Sequence, residues 1–167
     1  MHAFKNALDT VLKWASVILF ALLVVIVVWQ VFTRQVLQDP ATWTDEGARY
    51  VFVWLGFFAA ALVFSERGHI AVDFLVRLLP ETVQRYVAVF VQVAIIAFAA
   101  ITMIWGGWTA AQGAWNQSLT ALPATVGQMY LVMPITGILI IVYAIYHVVA
   151  VIRRQEDAVE IGEPEVI

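Results

Sequence analysis

The stretch from residue 86 to residue 152 contains sixty-seven residues without a single Lys, Arg, Asp or Glu. A helix that crosses a bilayer needs about 20 apolar residues, so this stretch is long enough for two crossings and a turn. The whole chain is 63% hydrophobic and has a mean hydropathy of +0.88, which is more apolar side chain than a 167-residue globule can bury. We therefore expect an all-α integral membrane protein.

The runs between charged residues predict four transmembrane helices. The first is the uncharged run 14–33, and the second covers about 43–64. Asn, Gln, Gly, Ser and Pro cluster at 112–128, which predicts a turn between a third helix over 80–108 and a fourth over about 124–152. Pro134 lies inside the fourth helix and should kink it, because proline lacks the backbone N–H that continues the hydrogen-bond ladder.

The distribution of basic residues predicts the topology. With four spans, both termini and the loop between the second and third helices share one side of the membrane, and this side holds seven of the nine basic residues. The positive-inside rule therefore places both termini in the cytoplasm. We expect residues 1–152 to form a single four-helix membrane domain and the acidic tail 153–167 to be disordered. A net charge of −3 argues against a nucleic-acid partner, and the absence of cysteine removes thiolate metal sites.

A polar interruption, "ERGHIAVDF", follows the second span. His69, Asp73 and Arg77 are four residues apart and share one stripe of an otherwise apolar helix. This pattern predicts a short amphipathic helix in the membrane interface, with its polar stripe toward water or toward another subunit. A zinc site is not expected, because zinc requires three or four protein ligands and the other histidines are far away in sequence. We expect no cofactor.

A second polar cluster, "WTDEGARY", begins the second span and contains Trp43, Asp45, Glu46 and Arg49. Asp45 and Arg49 are four residues apart with the acid first, which is the favourable order for an ion pair on a helix. Two interpretations remain open. The cluster is either a solvated helix start with an ion pair or a surface that contacts a partner protein.

The spans themselves lack the groups that transport or catalysis requires. Ionisable residues at the centre of a membrane helix usually mark an ion or substrate pathway, and none occurs at the centre of these spans. Gln30 and Gln92 are the clearest polar residues in the spans, and each is expected to form a hydrogen bond between helices. The pairs Gly56 with Ala60 and Gly106 with Ala110 have a spacing that permits close helix contact. We expect neither an enzyme nor an independent transporter.

Three segments resemble a known family. They are "VFTRQVL", then "WTDEGARYVFVWLGFFAAALVFSERGHIAVDFLVRLLP", and then "SLTALPATVGQMYLVMPITGILIIVYAI". They look like the small membrane subunit (DctQ type) of the tripartite ATP-independent periplasmic (TRAP) transporters, over roughly residues 10 to 150. The most specific features are Glu46 with Arg49, the run 68–73, and the Leu-Pro pair at 79–80.

The resemblance implies a role and a set of partners. Such a subunit pairs with a large TRAP membrane subunit, which holds the substrate and sodium sites and moves substrate by an elevator motion. A periplasmic substrate-binding protein delivers an organic acid such as a dicarboxylate, a keto acid or sialic acid. The small chain, surrounded by membrane lipids in the bacterial inner membrane, would be the scaffold and docking surface. The alternative is an accessory subunit of another membrane complex.

Overall fold

The structure is a computed structural model that describes residues 2–65 and 80–152. Four helical stretches are long and apolar enough to cross a membrane: Lys5–Leu37, Trp43–Ser65, Tyr86–Gly113 and Val126–Val151. The prediction of an all-α protein with four spanning helices is confirmed. The predicted interfacial helix with His69, Asp73 and Arg77, and the tail 153–167, lie outside the described residues and stay predictions.

The first two helices form an antiparallel pair. Helix α1 covers His2–Phe32 and continues as a π-helical turn, Thr33–Leu37. It ends where Gln38 adopts a left-handed backbone with φ of 53°. Thirty-one residues of α-helix measure about 46 Å, so α1 is longer than the hydrocarbon core of about 30 Å. Helix α2, Trp43–Ser65, agrees with the predicted second span and packs along α1.

The third span is one helical run with a change of pitch. Helix α3, Glu81–Phe98, is followed by π-helical turns over Ala99–Gly106 and by α4, Gly107–Gly113. Pro80 precedes the helix, and its carbonyl accepts the N–H groups of Val83 and Gln84. A proline suits this place because the first turn of a helix leaves its N–H groups without intrahelical acceptors. The third span ends at Gly113, five residues beyond its predicted end at residue 108.

The fourth span is interrupted near its start. Helix α5, Val126–Tyr130, is separated by Leu131 from helix α6, Val132–Ile152. Thr125 caps α5: its hydroxyl accepts the N–H of Gln128, whose side chain accepts the N–H of Thr125. The interruption lies one turn before Pro134, which has no N–H to donate back to the preceding turn. The break therefore lies at the position where Pro134 is predicted to kink the helix.

Helix α6 is the central element of the bundle. It packs against α2 and against α3 with its π-helical turns, while α1 packs mainly along α2 and contacts α6 through the hydrogen bond between Asp9 and Tyr143. In an apolar 18-residue stretch of the fourth span 50% of the residues are buried, compared with 6–11% in the corresponding stretches of the other three. The core between the helices is a cluster of five buried residues: Leu12, Ala61, Ala99, Ile140 and Tyr143.

Glycine permits a close contact between the third and fourth spans. A Cβ at Gly137 of α6 would lie 2.9 Å from the Cβ of Met103, so the third and fourth spans approach closely there. In contrast, no described atom lies within 4 Å of a Cβ placed on Gly56, and a Cβ on Gly106 meets only the carbonyl of Ile101 in the same run. The spacing at these two glycines permits close contact but does not determine which face of a helix meets a neighbour, and neither glycine meets another described helix.

The outer surface of the bundle is largely apolar. Exposed aliphatic and aromatic side chains cover most of α1, among them Trp14 and Val25, each 64% exposed, and also α3, where Phe90 is 72% exposed. In water such a surface would be a severe liability, since soluble monomers rarely expose large contiguous apolar patches. It suits lipid or the apolar face of another membrane protein.

Candidate functional site

Polar side chains of the described residues gather at the two ends of the bundle. We name these the loop end and the terminal end. The loop end is formed by the end of α1, the start of α2 and the connection 114–125. The terminal end is formed by the start of α1, the end of α2, the start of α3 and the end of α6. At the loop end, residues 117–126 form a short hairpin. Its hydrogen bonds run from the N–H of Leu119 to the carbonyl of Ala124 (2.9 Å) and from Val126 to Gln117 (2.9 Å).

Glu46 connects α2 to the tip of this hairpin. Its carboxylate accepts the backbone N–H groups of Thr120 and Ala121, each at 2.9 Å, and of Leu122 at 3.2 Å. Successive N–H groups in a turn form a concave site that favours an anion, and hydrogen bonds to a charged acceptor are among the stronger ones in proteins. The structure therefore directs Glu46, a predicted partner contact, toward the chain's own loop.

Asp45 connects α2 to α1. Its carboxylate accepts a hydrogen bond from the side-chain amide of Gln30, so the prediction of an interhelical bond at Gln30 is confirmed. The expected ion pair between Asp45 and Arg49 is absent from the part of the chain that the structure describes. The Asp45 carboxylate is instead bonded to the neighbouring helix through Gln30. Gln92 likewise has no hydrogen-bond partner among the described residues, so its predicted interhelical bond is not observed.

The remaining residues of the predicted cluster lie on the surface. Trp43 is 39% exposed, and Asp45 and Arg49 are also exposed. We call Trp43, Asp45 and Arg49 the α2 surface. All three residues lie within one helical turn of Glu46 along α2, at the loop end.

Gly127 joins the base of the hairpin to the end of the third span. Its N–H donates to the carbonyl of Ala114 at 3.0 Å. A Cβ at this position would lie 2.4 Å from the carbonyl oxygen of Ala111 and 2.7 Å from the Cα of Trp115. Only glycine permits such close approach of two backbones, so the hairpin is fixed at its base by main-chain contact.

At the terminal end, a second carboxylate connects three helices, and this connection was not predicted. Asp9 of α1 accepts hydrogen bonds from the hydroxyl of Ser65, at 2.6 Å, and from the hydroxyl of Tyr143, at 2.7 Å. Ser65 ends α2 and Tyr143 belongs to α6, and each is 1% exposed. Lys5, one turn before Asp9, forms an ion pair with it at 3.2 Å. The carboxylate is thus surrounded by donors from all three helices.

His147 reinforces the same junction. This side chain of α6 is 3% exposed, and its Nε2 lies 3.1 Å from the carbonyl oxygen of Ser65. That carbonyl is at the end of α2, where the last turn of a helix has no intrahelical donors left. The one signal in the sequence was the i, i+4 pair of Lys5 and Asp9 at the start of a hydrophobic helix. This pair indicates a polar face of α1 but not the residues that this face contacts.

These clusters hold helices and a loop together, and their side chains offer little for catalysis or metal binding. Within residues 2–65 and 80–152, no group of three His, Asp or Glu side chains lies close enough to hold a metal ion. The carboxylates of Asp9 and Glu46 already have multiple hydrogen-bond donors, all from this chain. The geometry of the two clusters fits a structural role, in which they join helices and a loop and leave other side chains exposed on the surface.

Comparison with known proteins agrees with this interpretation. Residues 23–154 match the family described as "Tripartite ATP-independent periplasmic transporters, DctQ component". The sialic acid TRAP transporter small permease protein SiaQ of Vibrio cholerae is 23% identical over 141 residues, covering 84% of this chain and 81% of the relative. A putative TRAP transporter small permease protein of Haemophilus influenzae is 28% identical over 142 residues, covering 84% of this chain and 86% of the relative.

A third relative is much longer than this chain. The sialic acid TRAP transporter permease protein SiaT of Haemophilus influenzae is 30% identical over 83 residues, which are 50% of this chain and only 14% of the relative. Subunits of the DctQ family are transporter components rather than enzymes, and TRAP small subunits partner with large permease subunits. The chain therefore belongs to the DctQ component family of the TRAP transporters and is a multi-pass small permease subunit.

Proposed function

We propose that this chain is the scaffold and docking surface for a large TRAP membrane subunit in sodium-coupled uptake of an organic acid. A periplasmic substrate-binding protein delivers the acid, and the complex resides in the bacterial inner membrane. The stripe of His69, Asp73 and Arg77 serves as an interfacial anchor or a contact with the large subunit. The runner-up is an accessory subunit of another membrane complex.

One observation supports the scaffold role above the others: the clustered polar groups of the described residues bind the chain's own helices and loop. A transporter needs a site that binds its ion or substrate in one state and releases it in another, and such sites use charged or polar groups or broken helix ends near the bilayer centre. The clusters around Asp9 and Glu46 lie instead at opposite ends of the bundle, and their acceptor oxygens are already bonded to donors of this chain.

The exposed apolar surface supports a large membrane partner. Helix α1 packs mainly on α2 and reaches α6 near Asp9 and Leu12, and most of its remaining surface is aliphatic and aromatic. The match to a much longer permease, SiaT, is consistent with such a partner, since there the similar region is part of one long chain. The names of two relatives support sialic acid as one candidate within the organic-acid class.

Capture of the partner from native membranes tests this proposal. The full chain, tagged at one terminus, is purified in mild detergent, and the co-purifying membrane proteins are identified by mass spectrometry. We expect a stoichiometric large TRAP permease. Recovery of a different membrane complex, with no TRAP permease, would support the runner-up and contradict our proposal.

The proposed orientation places both termini in the cytoplasm and the hairpin in the periplasm. The chain has no native cysteine, so single introduced cysteines report accessibility without background. A cysteine at Thr120 should react with an impermeant thiol reagent in intact cells, whereas one at Glu156 should react only after lysis. The opposite pattern would invert the topology.

A further inference from the structure

We propose that an open cavity at the end of the third span binds the headgroup of a zwitterionic phospholipid through its ammonium group. The cavity has a volume of about 400 Å³ and is lined by Trp108, Ala111, Gln112 and Trp115. This volume lies within the range of about 300–1,000 Å³ that is usual for small-molecule sites. The cavity belongs to this chain alone, so its ligand is independent of the proposed function.

The cavity lies at the depth where hydrocarbon gives way to headgroups. The spanning stretch that contains Trp108 ends at Gly113, and Trp115 is two residues beyond that end. Tryptophan favours this depth because its ring is apolar and its N–H is polar. The molecules that surround a spanning helix at this depth are lipids, so a lipid always has access to the cavity.

Main-chain contacts fix the walls of the cavity. The N–H of Trp115 donates to the carbonyl of Gln112 at 3.2 Å, and Gly127 packs against the backbone of Ala111 and Trp115. The side chains of Trp108 and Trp115 are nevertheless 49% and 45% exposed. A ligand can therefore cover much of both rings, and a cavity that is already formed loses little conformational entropy when it binds one.

The charges of this region favour an ammonium group over an anionic headgroup. Indole rings attract cations, and aromatic side chains commonly recognise ammonium groups in this way. Residues 107–130 contain no Lys, Arg, Asp or Glu, so this segment offers no cation to a phosphate. A charged side chain that does bond to the segment, Glu46 at residues 120–122, is an acid. The amide of Gln112 can donate to or accept from the rest of the headgroup.

Lipid titration followed by native mass spectrometry tests the headgroup preference. The full chain, with any membrane protein that co-purifies with it, is delipidated in mild detergent and titrated with four lipids of identical acyl chains. Phosphatidylethanolamine and phosphatidylcholine carry a cationic nitrogen, whereas phosphatidylglycerol and N-acetyl phosphatidylethanolamine do not. We expect the first two to bind about two- to tenfold more tightly. Equal affinity for all four lipids, or tighter binding of the anionic pair, would overturn the proposal.

Substitutions of the two indoles separate ammonium binding from simple burial of an acyl chain. Leucine keeps an apolar side chain without a π face, whereas phenylalanine keeps a π face. Trp108→Leu and Trp115→Leu should each remove most of the preference for the cationic nitrogen, and Trp108→Phe should retain part of it. The matched control is Trp105→Leu, because Trp105 is exposed on the same span but does not line the cavity. Full preference in both leucine variants would contradict the site.

Fluorine NMR locates the lipid on the unsubstituted protein. The chain is labelled with 5-fluorotryptophan, and the substitutions assign the resonances. Those of Trp108 and Trp115 should shift when phosphatidylethanolamine replaces phosphatidylglycerol in nanodiscs, whereas that of Trp105 should not. Equal shifts at all three positions, or no shift at Trp108 and Trp115, would show that these rings sense only the bulk membrane and would overturn the site.

Discussion

Each end of the bundle is held together by one carboxylate, but the hydrogen-bond donors to that carboxylate differ between the two ends. At each end one carboxylate accepts several hydrogen bonds and connects distant parts of the chain: Glu46 at the loop end and Asp9 at the terminal end. Glu46 binds backbone N–H groups, whereas Asp9 binds the side chains of Ser65, Tyr143 and Lys5. The loop end therefore depends on the path of the main chain, and the terminal end depends on the identity of particular side chains.

This difference matters more in a membrane than in water. Lipid is as apolar as the helix surfaces, so helix association relies on close packing and on interhelical hydrogen bonds rather than on hydrophobic burial. The loop end supplies close packing through Gly127, and the terminal end supplies hydrogen bonds between three helices. Substitutions at the two ends should therefore fail for different physical reasons.

The largest expected effect is at the main-chain contact of the loop end. Gly127→Ala places a methyl group 2.4 Å from the carbonyl oxygen of Ala111, and neither backbone can retreat cheaply. We expect the free energy of unfolding in mixed SDS micelles to fall by about 3 kcal/mol. The matched control is Gly56→Ala, which meets no described atom within 4 Å and should leave stability unchanged or slightly higher. Equal effects of the two substitutions would contradict the proposed close contact.

A smaller but substantial loss is expected at the terminal end from Asp9→Ala. The hydroxyls of Ser65 and Tyr143 are buried, and the substitution removes their common acceptor. An unsatisfied buried donor costs about 1–3 kcal/mol, so we expect the same unfolding assay to show a loss of about 2 kcal/mol. Hydrogen exchange at residues 120–122 should be unchanged, which distinguishes this cluster from the loop end. Faster exchange there would show that the two ends are coupled.

Tyr143→Phe tests one bond of the terminal cluster. The ring and its packing remain, while Asp9 keeps its bonds to Ser65 and Lys5. Interhelical hydrogen bonds in membrane proteins average about 0.6 kcal/mol, so we expect a loss of about 1 kcal/mol or less. Tyr86→Phe is the control, because Tyr86 is 73% exposed. A loss for Tyr143→Phe as large as that for Asp9→Ala would assign the whole cluster to this single contact.

The smallest effect on stability is expected at the α2 surface. Arg49 is exposed and forms no ion pair with a described residue, so Arg49→Glu should change the free energy of unfolding by less than about 0.5 kcal/mol. Uptake by the assembled transporter should nevertheless fall if this surface contacts a partner. Arg34→Glu provides an exposed charge reversal at the same end of the bundle but outside this surface. Unchanged uptake in Arg49→Glu would show that the Arg49 side chain faces solvent and does not contact a partner protein.

The sequence predicted the spans well because bilayer thickness and the cost of charge limit where helices can lie. It also predicted the bond of Gln30, since an amide within an apolar helix needs a partner. It could not predict the ligand of Glu46, because backbone N–H groups are present at every residue and have no side-chain signature. Nor could it place Tyr143 beside Asp9, 134 positions away, because that contact depends on how three helices are rotated. The contact at Gly127 was missed for the same reason.

Transport by purified components tests the scaffold role most directly. The full chain is reconstituted in liposomes with a sodium gradient, the binding protein and labelled organic acids, with and without the large subunit. We expect no uptake by this chain alone, because its clustered polar groups bind its own helices and loop, and sodium-dependent uptake only when both subunits are present. Uptake by this chain alone, or full uptake by the large subunit without it, would contradict the role of an indispensable scaffold.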